Sequence, residues 1–236
     1  MPQTKMTRSA ARLKTANRDP QRPPKRVTPR KRTRKAPEER RAEILDSAAR
    51  LVLAEGLTAV SMERLARDTG ISKALVYNYF ASRDHLFAAL LKREQVELQE
   101  RGLGAALRAE SFPELVRQTT RVYLEQVQSR GALIAALLSD PSVAKLIESE
   151  NVEARQRTRT FFVRQVAKDY NLAPNIAAVS VDLLWAITDG AGRQFSLGVI
   201  DIDTAEEMCV QLIIGALERL SRKGKALRAL RLVEGS

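Results

Sequence analysis

The sequence predicts an all-α protein, with an N-terminal three-helix helix-turn-helix unit followed by a C-terminal helical domain. Three observations carry this. Ala and Leu dominate the apolar residues while Phe, Trp and Tyr make up only 5%, a balance that favours helices over strands. Apolar side chains recur three and four positions apart, in runs bounded by Ser, Asp, Gly and Pro at helix-capping positions. No segment alternates strictly between apolar and polar residues, and no repeat of fixed period is present.

The elements follow in order. Pro37, Glu38 and Glu39 put a proline and negative charge at a helix start, and Ile44, Ala48, Leu51 and Val52 share one face before the C-cap candidate Gly56. Ser61 caps a second helix with Glu63 in its first turn and a short apolar face of Met62, Leu65 and Ala66. Gly70 ends it; Ser72 caps a third helix from Lys73 to Phe80, and Ser82 a fourth carrying Leu86, Phe87, Leu90 and Leu91. At least five more helical segments are expected after Gly104. Pro113 opens one with Leu115, Val116, Val122 and Tyr123, and a short one runs from Ala132 to Leu138, stopped by Asp140-Pro141. A long one passes through Val143, Leu146, Ile147, Phe161, Phe162 and Val166. After Pro174, residues 175–199 align Val179, Leu183, Ala186, Ile187 and Gly190, and Asp203 or Thr204 caps a last helix through Met208, Leu212, Gly215 and Leu217. The expected division is a disordered basic tail (1–37), a DNA-binding unit (38–92), an effector-binding and dimerisation domain (93–222) and a basic C-terminal tail (223–236).

Charge sharpens the picture. The net charge of +12 lies wholly in residues 1–41, which hold fifteen Lys and Arg against Asp19, Glu38 and Glu39; residues 42–236 hold twenty-five of each sign. A neutral globule with a basic tail implies a polyanionic partner for the tail. Residues 1–37 combine low hydrophobicity with five prolines from Pro20 to Pro37, too little apolar surface to offset ordering entropy. The tail shares Arg-richness with mitochondrial transit peptides, but it is poor in Ser and broken by Pro20, Pro23, Pro24 and Pro29. No apolar run approaches the roughly 18 residues of a membrane span, and no secretory apolar core is present, so a cytoplasmic protein without membrane contact is expected. Cys209 is the sole cysteine and lies in an apolar helical run, which favours an inert buried thiol over a redox sensor.

Residues 61–80 carry the functional signal. Ala66 is small where two short helices cross, Gly70 supplies a left-handed turn, Ile71 plugs the corner, and Val76 and Phe80 anchor the second helix. Lys73, Ala74, Tyr77 and Asn78 are left facing outward, a hydrogen-bonding surface suited to base edges and phosphates in a major groove. Alone, this pattern also fits a plain helical hairpin with a solvated face.

The wider run resembles the TetR family of repressors. It comprises Ile44-Leu45-Asp46-Ser47-Ala48-Ala49-Arg50-Leu51, Glu55-Gly56-Leu57, Ser61 to Ser72, and Val76-Tyr77-Asn78-Tyr79-Phe80-Ala81-Ser82-Arg83-Asp84-His85-Leu86, with the family's spacing throughout. The resemblance implies a sequence-specific DNA-binding homodimer, a repressor released from a pseudo-palindromic double-stranded operator by a small hydrophobic effector, and associated with the nucleoid when bound. By position it implies phosphate contacts from Ser61, Tyr77 and Arg83, base contacts from Lys73, Ala74 and Leu75, and Asn78 at or near the bases. Ser72 and Tyr79 complete the expected contact set on this helix. Arg40 and Arg41, with Lys31, Arg32, Arg34 and Lys35 before them, form an arm that family members often lay along the minor groove. Leu75 stands where the family commonly has Thr, so a thymine methyl is the contact it can offer.

After about residue 95 the resemblance is confined to Asp189-Gly190 and the long apolar last helix. In the family the last two helices pair with their copies. Gly190, Gly192 and Gly215 would each cost about 1 kcal/mol relative to Ala, which close helix–helix approach would offset. Tyr123, Phe161, Phe162, Trp185 and Phe195 are candidate effector walls, with Asp189 and Arg193 as polar contacts; ordinary core packing or a surface ion pair is the other reading. His85, in the first turn of the fourth helix, and Cys209 show no nucleophile–base spacing, and there is no metal-ligand cluster, phosphate loop or serine elbow. No enzyme, catalytic residue, cofactor or metal is therefore expected. Two alternatives stay open: a non-specific nucleic-acid-binding protein driven by the tail, and an activator with the same fold.

Overall fold

The computed structural model describes residues 36–150 and 152–234, with side chains placed over 36–146 and 155–222. The expected disorder of the N-terminal tail thus falls, over residues 1–35, outside the described residues. Among the described residues every regular element is helical: α1 (Pro37–Glu55), a short 3-10 turn (Leu57–Ala59), α2 (Met62–Thr69), α3 (Lys73–Tyr79), α4 (Arg83–Arg108), α5 (Phe112–Leu138), α6 (Pro141–Glu150), α7 (Val152–Asp169), α8 (Pro174–Ser196) and α9 (Ile202–Glu234). No helix among the described residues is long and apolar enough to cross a membrane.

Caps set the helix starts where the sequence placed them. The hydroxyls of Ser61, Ser72 and Ser82 accept from the backbone N–H of Arg64, Leu75 and His85, each at 3.2 Å. Ser82 Oγ also lies 2.8 Å from His85 Nδ1, so the only histidine serves as part of a helix start.

Four expectations are corrected. α4 does not end near Gly104 but continues through Gly102 and Gly104 to Arg108, because α5 packs back along it. α5 is a single helix through Gly131, since Leu133 and Leu137 are needed in the N-terminal core. The long segment from Val143 to Val166 is two helices, α6 and α7. Val143 and Leu146 join the N-terminal core, whereas Phe161, Phe162 and Val166 join the C-terminal one, and one straight helix face cannot serve both. The last helix is capped by Asp201, whose carboxylate accepts from Thr204 N–H at 2.7 Å, rather than by Asp203 or Thr204.

Two cores result. One is built by α1, α2, α3 and the start of α4, closed by Leu133 and Leu137 of α5 and Val143 of α6. The other gathers Phe112, Leu115 and Val116 of α5, Val166 of α7, Ala177, Val181 and Leu184 of α8, and Cys209, Val210, Ile213 and Leu217 of α9. The expected boundary at 92/93 falls inside α4, so α4 and α5 are shared framework for both cores. The segment read as a C-terminal tail continues α9 as helix to Glu234.

Candidate nucleic-acid interface and internal cavity

The α2–α3 corner is built from local chemistry. Gly70 adopts φ 65° and ψ 34°, the left-handed conformation that turns the chain, and its N–H bonds Arg67 O at 3.2 Å. Ala66 is buried at the crossing and Ile71 packs against the core. Val76 is 0% exposed and Phe80 3%, so α3 is pinned by its inner face. Arg64 of α2 forks onto the Glu55 carboxylate at 2.6 and 2.7 Å and ties α2 to the end of α1. This pairing holds the Glu55 carboxyl below its ordinary range.

That pinning leaves Lys73, Ala74, Tyr77 and Asn78 exposed on the opposite face, with Ser61 and Ser72 exposed at the two helix starts. Leu75 and Tyr79 are half-buried, and Tyr79 packs partly on the core. Arg41 lies over the Phe80 ring at 5.2 Å and Arg83 over Phe87 at 5.6 Å, so both cations are braced by aromatic residues of this core. Arg40 pairs with Glu43 at 2.5 Å.

Lys73 also has a partner that sequence spacing does not reveal. It forms an ion pair with Glu63 of α2 and sits 5.8 Å from the Tyr77 ring centroid. Glu63 raises the Lys73 ammonium above its ordinary value and is itself lowered by it. The ten-residue separation matches no helical period; only the α2–α3 crossing brings the two together.

The second feature is a cavity of about 590 Å³ between α4, α5, α7, α8 and α9. Tyr123, Phe161, Phe162, Trp185 and Asp189 line it; Arg193 and Phe195 do not. Phe161 meets Phe162 edge-on at 5.5 Å, and Phe162 meets Trp185 at 6.2 Å. Most other walls are aliphatic, including Leu98, Leu103, Val116, Val166, Val181 and Ile213. The polar residues that sequence reasoning missed are Gln99, Thr119, Thr120, Arg157, Thr158 and Thr188. The Tyr123 hydroxyl donates to Asp189, and burial together with that carboxylate pushes its pKa well above the usual phenol value.

Gly192 explains one of the three costly glycines differently from the expectation. A Cβ there would stand 2.8 Å from the Tyr123 ring, so the close approach is to a side chain of the same chain rather than to a second copy. Gly215, by contrast, is exposed with open space around it. Cys209 is buried; burial raises its thiol pKa, partly countered by a hydrogen bond with Thr188.

A charged chain links α1, α4 and α5. Glu94 of α4 is fully buried. Its carboxylate lies 3.4 Å from Arg130 of α5 and 3.3 Å from Arg93, which in turn bonds Asp46 of α1 at 2.7 Å. Gln126 of α5 donates to the Glu94 backbone carbonyl at 3.1 Å. Among the described residues, no group of three or more His, Cys, Asp or Glu is placed to hold a metal.

Comparison with known proteins agrees with this architecture. Residues 44–90 match the family model described as bacterial regulatory proteins, tetR family. The HTH-type transcriptional regulator BetI of Rhizobium meliloti (strain 1021) is 31% identical over 109 residues, covering 46% of this chain and 54% of BetI. An HTH-type transcriptional regulator of Mycobacterium tuberculosis (strain ATCC 25618 / H37Rv) is 30% identical over 121 residues, 50% of this chain and 51% of that protein. The chain thus spans about half the length of the curated relatives it matches. A solved putative transcriptional regulator from Pseudomonas aeruginosa PAO1 superposes with a TM-score of 0.66 at 18% identity, over 80% of this chain and 96% of that one, a likeness of fold. With the capped α2–α3 corner at its N-terminal end and helices throughout the described residues behind it, the chain is similar to the tetR family of bacterial regulatory proteins, whose model its residues 44–90 match.

Proposed function

We propose that the protein is a homodimeric, sequence-specific transcriptional regulator, not an enzyme. In this reading it represses from a pseudo-palindromic operator and is released when a small apolar molecule fills the cavity. The observation that carries DNA recognition is the exposed Lys73–Tyr77–Asn78 face of a helix whose opposite side is locked by Val76 and Phe80. A short helix held this way can enter a major groove without rearranging. Ser61, Ser72 and Arg83 flank it as phosphate contacts, Ala74 and Leu75 meet base edges, and Arg40, Arg41 and Tyr79 border the same surface. Residues 38–92 are the reading head, and 93–222 hold effector and partner.

Two recognition helices about 34–36 Å apart are needed to read both half-sites. The partner in this reading is a second copy, seated on the exposed apolar stripes of α8 and α9. The effector reading rests on the cavity, whose volume of about 590 Å³ suits a small-molecule site and whose walls include α4, the helix that begins in the head.

The test is titration of selected operator DNA with two variants of opposite sign. Lys73→Ala is expected to weaken binding by about 1–3 kcal/mol. Glu63→Gln is expected to strengthen it several-fold, by releasing Lys73 and removing a carboxylate from a phosphate-facing surface. Full affinity in Lys73→Ala, with unchanged helicity, would mean another face reads DNA.

The tail gives a separate expectation. Each phosphate neutralised adds roughly 0.9 to the log–log salt slope. Deleting residues 1–35 is expected to flatten that slope by several units and to spare operator preference. A truncated protein with the full-length slope would show that the tail does not touch DNA.

A further inference from the structure

We propose that the effector is an anionic amphiphile: an acyl chain inside the cavity, with its charged head held at the surface by Arg157 and Arg164 of α7. This rests on reading the cavity as the effector site and adds the chemistry of what enters it.

The argument starts from the charges of the lining. Among the described residues, two lining side chains are charged, Asp189 and Arg157. Asp189 already accepts a hydrogen bond from Tyr123, which satisfies part of its capacity and lowers its pull on a cationic ligand. Arg157 is different. It is exposed, and among the described residues it has no ion pair, whereas its neighbour Arg159 is clamped onto Asp182 through two contacts of 2.7 Å.

Arg157 also belongs to a second depression. Gln156, Arg157, Thr160, Phe161, Arg164 and Gln165 line a surface trench of about 460 Å³ on α7. Arg157 and Phe161 line both trench and cavity, so the two adjoin at these side chains. Arg164, seven residues on and two turns along the same helix face, is likewise exposed and without an ion pair among the described residues. Among the described residues no carboxylate lines the trench. Among the described residues, neutral hydrogen-bonding side chains and two guanidinium groups without an ion pair therefore adjoin an apolar interior.

The physics of transfer then selects the ligand. An anion taken whole into the cavity would lose its hydration with no buried cation to replace it. An acyl chain buried against Leu98, Val116, Phe162, Val181 and Trp185 gains from every methylene, while a head at the mouth keeps its water and meets two forked donors. A carboxylate and the phosphates of an acyl thioester share this chemistry.

The cavity carries its own reporter, because Trp185 is the only tryptophan in the chain and lines it. Full-length protein is titrated with dodecanoate, dodecanoyl-coenzyme A, dodecan-1-ol and dodecyltrimethylammonium, each below its micelle concentration, and Trp185 fluorescence is followed in the absence of DNA. The anions are expected to bind about tenfold or more tighter than the alcohol, the cation weakest. Arg157→Gln/Arg164→Gln is expected to erase that preference while leaving alcohol binding unchanged. Tighter binding of the thioester, lost in Arg164→Gln alone, would identify a phosphorylated head in the trench; tighter binding of the carboxylate would identify a free acid at Arg157. Alcohol or cation binding as tightly as the anions would overturn the head assignment and leave the cavity as effector site. No change in Trp185 with any probe would overturn both readings.

Discussion

Glutamate at Leu183 and Leu212 together is expected to yield a monomer whose operator affinity is lower by roughly 10²–10⁴-fold, the loss incurred when two linked binding heads become one. Both helices involved are apolar on two sides. α8 buries Ala177, Val181 and Leu184 in its own core, yet Ile176, Val179 and Leu183 lie exposed on the other side. α9 buries Cys209, Ile213 and Leu217, and exposes Met208 and Leu212 with Gly215 beside them. Leu183 is 64% exposed and Leu212 53%, in a stripe spaced three and four apart, the pattern of a helix seam awaiting a partner. Because neither side chain contributes to the core of a single chain, charge at both positions should leave helicity intact. Light scattering gives the mass and fluorescence anisotropy the affinity; a double variant that stays dimeric would place the interface elsewhere.

The second large effect is a contrast between two changes in one cluster. Arg130→Met is expected to destabilise the protein by about 2–3 kcal/mol, because it strips a cation from a carboxylate that has no access to water. The estimate sits toward the low end for a broken buried pair because Arg93 remains 3.3 Å away and Arg130 is itself partly solvated. At this chain length that corresponds to a melting temperature lower by roughly 5–10 °C. Glu94→Gln is expected to fall within about 1 kcal/mol of the parent, since it removes the buried charge at constant shape and leaves two arginines that reach solvent. Equal losses in both variants would show that packing rather than charge holds α1, α4 and α5 together. Thermal unfolding followed by circular dichroism decides between them.

Much of the head was legible in the chain because its determinants are local. Ser61, Ser72 and Ser82 cap the helices they precede, and Gly70 takes the one backbone conformation that closes the corner. The body was legible as helices but not as boundaries. Gly131 reads as a break in isolation, yet α5 runs through it because Leu133 and Leu137 are required in the head core. Asp201, one residue ahead of the apolar run, caps α9 although Asp203 and Thr204 offer the same chemistry.

The expected effector residues divide in the same way. Tyr123, Phe161, Phe162, Trp185 and Asp189 converge on one cavity, as apolar faces of adjacent helices must. Arg193, the other candidate polar contact, does not line the cavity; the basic residue at its wall is Arg157, which lies on a different helix. Glu63 and Glu94 were missed because their importance depends on partners ten and thirty-six residues away.

The amino-acid order by itself settled the helical class, the capped corner and the outward set of α3, since capping and turn formation act within about four residues and do not wait for the rest of the molecule. Tertiary packing alone decided which carboxylate restrains Lys73, which arginine opens onto the cavity and which stripe of α8 and α9 remains uncovered. The reason is geometric: a helix with apolar residues on two sides has no local means of choosing which one faces inward, and that choice is made only when neighbouring helices compete to bury it.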